Sequence, residues 1–205
     1  MIEFNNVYKS FDNKEILKDC SFKFENETKY LLYGESGIGK TTLLNLIVNY
    51  IKPDKGTIVN FLNEKKGYLF QEVLLFSNLT VEENLQIINK KNNNDIEFLS
   101  QIKEMFERFN IESLRKRLVS SLSGGEKRKI EIIGLILKNS DVILMDEPTA
   151  NMDMESKKSI IRLIDEVFKE KIVIIASHDD RGLFSGYTPI KLNGGKIIDG
   201  EEIFY

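Results

Sequence analysis

Gly34-Glu35-Ser36-Gly37-Ile38-Gly39-Lys40-Thr41 gathers glycines, a lysine and a hydroxyl into one short run. Glycines free the backbone to turn its N–H groups inward around phosphate oxygens, and a helix starting at the end of the run adds the partial positive charge of its N-terminus. In such a phosphate-binding loop Lys40 reaches the outer phosphates as a point charge. The Thr41 hydroxyl ligates Mg²⁺, and Thr42 follows in the same turn. The pattern needs a strand before it and a helix after it. Lys29 to Tyr33 is a compact β-prone run, and Leu43, Leu44, Leu46, Ile47 and Val48 recur with helical spacing from Lys40 to Asn49. Pro53-Asp54-Lys55-Gly56 then stop the helix. A glycine turn with an incidental lysine requires no such setting.

Two further runs have chemistry of their own. Val142-Ile143-Leu144-Met145-Asp146-Glu147 is an apolar strand ending in two acids. The first can hold Mg²⁺ through water and the second can polarise an attacking water, although a buried strand followed by solvated acids has the same pattern. In Leu122-Ser123-Gly124-Gly125-Glu126, Ser123 has the character of a helix N-cap, and the two glycines expose N–H groups able to hold a phosphate.

Together and in this order, the three runs resemble the Walker A, signature and Walker B motifs of the ABC ATPases. The resemblance runs from Phe11 to about His178 and implies ATP and Mg²⁺ as ligands, with hydrolysis of ATP to ADP and phosphate. It also gives meaning to single residues. Gln71, after Tyr68-Leu69-Phe70, resembles the Q-loop glutamine that senses the γ-phosphate and metal. His178, the sole histidine, follows the strand Lys171 to Ala176 as the family's switch histidine does. Phe11 sits where the family stacks an aromatic on adenine, with Tyr8 competing for that role. Asp153 resembles the D-loop aspartate that crosses a dimer interface, and it also reads as the cap of the following helix. The implied catalytic set is Glu147, His178, Lys40 and Gln71, and the implied metal set is Thr41, Gln71 and Asp146.

The resemblance implies partners too. The loop of one copy and the signature of another close around one ATP, so a head-to-tail dimer with a second copy or close relative is expected. A separate membrane-spanning permease would be reached through the Q-loop segment. There Leu74, Leu75 and Phe76 suit either a docking helix or burial under the first helix of an insert. Ser36 and Leu79-Thr80-Val81-Glu82-Glu83-Asn84 resemble the group serving lipoprotein release and macrolide or bacteriocin efflux, which points to export. The run Gly124 to Glu131 has some flavour of a soluble iron–sulfur assembly ATPase, but Glu147-Pro148-Thr149-Ala150 resembles the transporter form. Where the family often carries Ile-Ala-Arg-Ala-Leu, this chain has Ile132-Ile133-Gly134-Leu135-Ile136, so the helix loses a basic residue.

The elements that must position these residues follow from periodicity. Strands are expected at Met1 to Tyr8, at Asp19 to Phe24 after a turn-rich stretch, and at Asp141 to Met145. Helices are expected at Gly125 to Leu137 and Met154 to Phe168. Thr80 to Leu118 reads as a small helical insert interrupted by an exposed Asn/Lys-rich patch at Asn89 to Asp95. The expected fold is α/β: a P-loop NTPase core with a mostly parallel sheet, an N-terminal antiparallel β subdomain and a small α-helical insert. A core at 1–78 and 122–205 would surround a helical subdomain at 79–121 in a single domain, with Asn193-Gly194-Gly195-Lys196 in closing strands and no room for a further regulatory domain.

Composition narrows the classes. In 205 residues, Lys and Arg number 29 against 32 Asp and Glu; the resulting net charge of −3 gives no basic footprint for nucleic acid. A lone cysteine, Cys20, cannot form an internal disulfide and reads as a small buried apolar residue. Apolar runs such as Ile132 to Leu137 fall far short of the roughly 18 residues of a spanning helix. The expected location is therefore cytoplasmic, on the inner face of the membrane through a partner.

Overall fold

The computed structural model describes residues 1–12, 14–60, 65–87 and 96–200. The Asn/Lys-rich patch at 89–95 lies outside the described residues.

Strands β1 (Ile2–Phe11), β2 (Lys14–Phe24) and β4 (Lys55–Asn60) form an antiparallel sheet in the order β2-β1-β4. A second sheet has the order β5-β6-β7-β3-β8-β9, from β3 (Lys29–Tyr33), β5 (Lys66–Leu69), β6 (Val142–Asp146), β7 (Ile172–Ala176), β8 (Thr188–Asn193) and β9 (Lys196–Asp199). Its strands pair in parallel except for the closing β8–β9 hairpin. Strand β2 is longer than the sequence pattern suggests. The stretch read as turn-rich, from Lys14 onward, is strand: Leu17 is buried and pairs with Lys9, while the neighbouring charges face solvent. Charged alternation on a two-sided sheet mimics a loop in composition.

The central strands show why both faces of the parallel sheet are covered. Leu32, Leu144 and Ile174 enter one core with Phe4, Phe24, Leu43 and Ile47. Their neighbours Leu31, Ile143 and Ile175 enter the other, against Ile160, Ile161 and Ile164. Period-2 side chains placed between two layers give continuous apolar runs. Helix α1 (Lys40–Ile47) fills the first side, and α5 (Met154–Val167), with part of α4 (Gly124–Leu137), fills the second.

A third core joins α2 (Val81–Ile87), α3 (Ile96–Arg108) and the inward face of α4 through Leu85, Ile102, Phe106, Ile130 and Ile133. The chain enters and leaves this region at one place. Thr80 forms an antiparallel bridge with Leu118, Val81 N–H donates to Arg117 O at 3.0 Å, and Val119 N–H donates to Leu79 O at 3.0 Å. The first helix starts at Val81, so Leu74 to Phe76 precede it. Leu75 packs on the helical core, while Leu74 and Phe76 remain 60% and 55% exposed. Among the described residues no helix is long and apolar enough to cross a membrane.

Candidate functional site

Four parallel strands deliver their C-terminal ends to one crevice, where open α/β sheets characteristically bind ligands. A cavity of about 540 Å³ lies there. Strand β3 feeds Gly34, Glu35, Ser36, Gly37 and Gly39, α1 opens with Lys40, Thr41 and Thr42, and β5 leads to Gln71. Strand β6 ends in Asp146 followed by Glu147, and β7 leads to His178. Ile38 belongs instead to the apolar core beneath the loop.

Gly39 shows why the loop has its composition. Its φ is +115°, and a Cβ there would stand 2.3 Å from Ile16 Cγ2, so both backbone angle and space exclude a side chain. Ile16 also lines the cavity. Only the register of the β1–β2 hairpin brings it there, so no local motif announces it.

Buried Lys40 has its Nζ donating to Gly34 O at 2.8 Å and Glu35 O at 3.2 Å, poised inside the turn. The Thr41 hydroxyl donates to Asp146 Oδ2 at 2.6 Å. Burial pushes the Asp146 carboxyl up from its ordinary value; the Thr41 hydrogen bond opposes that, the Glu147 charge adds to it and Lys40 opposes it. A buried carboxylate beside a hydroxyl, with Gln71 lining the same cavity, is an all-oxygen set suited to Mg²⁺. Such ions are held by one or two carboxylates together with substrate phosphates. The residues therefore fit the metal.

Glu147 is buried with φ +49°, its N–H donating to Ala176 O at 2.9 Å. Its Oε1 lies 2.9 Å from His178 Nδ1, and Ser177 Oγ donates to its Oε2 at 3.4 Å. The exposed imidazole thus overhangs a carboxylate that the sheet holds in place. Next to it, Asp179 accepts from the Thr149 hydroxyl at 2.6 Å and from Lys157 Nζ. Burial raises this carboxyl, but Lys157 and Thr149 outweigh it and hold Asp179 below the ordinary range. The turn after β6 and the turn after β7 are thereby fastened to each other and to α5.

Other residues singled out by sequence stand apart from this cavity. Ser123 caps α4 in a reciprocal capping box: Glu126 N–H donates to Ser123 Oγ at 3.2 Å and Ser123 N–H donates to Glu126 Oε2 at 2.7 Å. Leu122 anchors this turn in the helical core, and a Cβ at Gly124 or Gly125 would meet nothing within 4 Å. The signature glycines therefore border open space and lie outside the lining of the chain's own phosphate cavity. Asp153 caps α5, accepting from Ser156 N–H at 2.9 Å and from its hydroxyl at 2.6 Å. Phe11 ends β1 opposite Lys14, 45% exposed, with Lys9 Nζ 5.1 Å from its ring centroid; neither it nor Tyr8 lines the cavity. Beside the Gln71 turn lies an apolar groove of about 220 Å³, floored by Ile130, Glu131 and Gly134 of α4 and rimmed by Leu74 and Phe76.

Strand, phosphate loop, helix and acid-tipped neighbouring strand define a P-loop α/β nucleotide hydrolase. The chain matches the family described as ABC transporter over residues 17–150. It is 31% identical over 203 residues to the ABC transporter ATP-binding protein YtrE of Bacillus subtilis (strain 168), covering 90% of this chain and 88% of that one. It is 34% identical over 182 residues to the zinc import ATP-binding protein ZnuC of Buchnera aphidicola subsp. Acyrthosiphon pisum, covering 87% and 74%. Among solved structures, the ATP-binding cassette MJ0796, a dimer in a post-hydrolysis state bound to ADP and Pi, superposes with a TM-score of 0.80 at 24% identity, covering 97% and 98%. The chain belongs to the ABC transporter family, as an ATP-binding, ATP-hydrolysing subunit that uses Mg²⁺.

Proposed function

We propose that this chain drives transport through separate membrane-spanning chains, working as a head-to-tail pair on the cytoplasmic face of the membrane. The observation that supports this reading best is the separation of two half-sites. Lys40, Asp146, Glu147 and His178 share one cavity, while Gly124 and Gly125 border open space outside its lining, which supports a second copy covering the nucleotide with its signature. The core at 1–78 and 122–205 carries the cavity, and the helical part at 79–121 supports the signature.

In this reading Lys40 and the loop N–H groups hold the β- and γ-phosphates of ATP, and Phe11 stacks on adenine. Thr41, Asp146 and Gln71 hold Mg²⁺ directly or through water. Bound there, the ion neutralises charge on the phosphate oxygens. Glu147 accepts a hydrogen bond from water and orients it for in-line attack on the γ-phosphorus, which releases ADP and phosphate. His178 and the partner copy's signature serine stabilise the transferring group. The Nδ1 contact with Glu147 fixes the imidazole's orientation and leaves Nε2 to meet the phosphate. Asp153 faces the partner at the dimer seam. The exposed pair Leu74 and Phe76, over the groove on α4, receives a helix of the permease.

Ser36 and the segment 79–84 support export. The zinc import relative favours import instead, and transport assays in inside-out and right-side-out vesicles separate the two. The motor itself is tested by ATPase activity against protein concentration, with sizing in ATP. Specific activity rising with concentration is expected, together with an inactive Glu147→Gln variant that accumulates as an ATP-dependent dimer. Normal turnover in that variant removes Glu147 from its role.

A further inference from the structure

Arg128 and Glu131 lie one turn apart on α4 and are almost entirely buried, at 3% and 12% side-chain exposure. Arg128 Nη1 donates to Phe70 O at 2.8 Å and to Glu131 Oε2 at 2.9 Å, and Nη2 donates to Gln71 O at 2.9 Å. Glu131 Oε1 accepts from Leu74 N–H at 2.8 Å. Two side chains of one helix therefore hold three backbone groups of the turn that carries Gln71.

Apolar residues would hold a helix against a turn at lower desolvation cost than a buried ion pair. What the charges add is geometry. A planar guanidinium fork fixes two successive carbonyls, and the carboxylate both locks the fork and fixes the N–H at the far side of the turn. Arg128 Nε remains buried without a hydrogen-bond partner, as fits a device that sacrifices stability for placement. The helix begins at the Ser123 capping box, with the open glycines of the signature in its first turn. One helix thus carries the signature glycines in its first turn and grips the Gln71 backbone along its side.

We propose that Arg128 and Glu131 are positioning residues for hydrolysis, fixing the Gln71 main chain against α4 so that its side chain stands at the nucleotide cavity it lines. The proposal rests on the function given above and adds two residues outside the nucleotide cavity on which its rate depends. Gln71 is placed through its main chain, so its side chain stays free to meet phosphate, metal or water.

The test compares the full chain with Gln71→Ala, with the double variant Arg128→Met/Glu131→Leu, and with all three changes together. Gln71→Ala and the double variant should each lower kcat about tenfold with KM for ATP within about twofold, and the triple variant should fall no further, because groups that act as a unit are not additive. The double variant should melt no lower than the unaltered protein, which removes instability as the cause. If the double variant does not fold, Arg128→Lys replaces it. An ammonium keeps the charge but cannot fork two carbonyls, and the same loss of kcat at unchanged KM is expected. Unaltered kcat in the double variant (or in Arg128→Lys where it stands in), or a triple variant slowed by the product of the separate effects, overturns the proposal while leaving the ATPase reading intact. An unaltered protein without turnover, or Gln71→Ala at full rate, brings down the reading of the site and this inference with it.

Discussion

His178 Nδ1 and Glu147 Oε1 lie 2.9 Å apart, joining the turn after β7 to the turn after β6 at the mouth of the phosphate cavity. The contact binds an exposed imidazole to a buried carboxylate, so losing the histidine affects both. His178→Ala should lower kcat by about 100-fold or more, within the range of a positioned acid–base group, with ATP affinity changed only a few-fold. Single-turnover hydrolysis beside equilibrium nucleotide binding checks this. A rate loss accompanied by equal loss of binding counts against the assignment.

Thr41 and Asp146 meet at 2.6 Å, and burial already raises the Asp146 carboxyl. Thr41→Val removes a metal ligand and leaves that carboxyl without its hydroxyl donor. The Mg²⁺ concentration for half-maximal ATPase should rise at least about tenfold, since even partners one shell further from a metal are worth that much. A Mg²⁺ titration at fixed ATP reads the effect; an unmoved midpoint removes Thr41 from the metal set.

Phe11 and Tyr8 are alternatives for the adenine platform, and neither borders the phosphate cavity directly. Stacking worth about 1–3 kcal/mol predicts that Phe11→Ala weakens ATP binding about 5- to 150-fold, while inorganic triphosphate binds as before. Tyr8→Ala should stay within about twofold. The reverse pattern transfers the platform to Tyr8.

Glu82 on α2 ties the entry of the helical region to its exit. Arg115 Nη2 donates to it at 2.6 Å and Lys116 Nζ at 3.0 Å. The Arg115 hydrogen bond holds the carboxyl below its ordinary value of 4.5 against the opposing effect of burial, and Lys116 adds to the lowering. Its stabilisation is therefore fully present above that ordinary value and is lost as pH falls through the lower folded-state value. Glu82→Gln should cost about 1–2 kcal/mol at neutral pH. The difference from the unaltered protein should shrink as pH drops below 4.5, as followed by denaturant unfolding across pH. A difference constant down to acid pH refutes the ion-pair account.

The phosphate loop and the acid-tipped strand are legible because each is local: a few consecutive residues at the end of a strand whose apolar run is buried on both faces; His178, a lone side chain after a strand, acquires meaning only from the resemblance those runs establish. Strand β2 was only half legible, since Lys14 to Lys18 form a sheet edge whose charges resemble a loop. Leu74 and Phe76 could be read either way until their exposure was known, because an apolar run does not reveal which surface it faces. Arg128 and Glu131 left no signal. An oppositely charged pair one turn apart is the ordinary pattern of a solvated helix face, and only the fold places the Gln71 turn over it. Ile16 reached the cavity in the same unannounced way, through hairpin register.

The bridge between Thr80 and Leu118, with its flanking hydrogen bonds, closes the helical region like a drawstring. Because both chain crossings share one point, the approach of the Gln71 turn to the signature helix is set at the bridge and along α4, not by the path of the chain between the crossings.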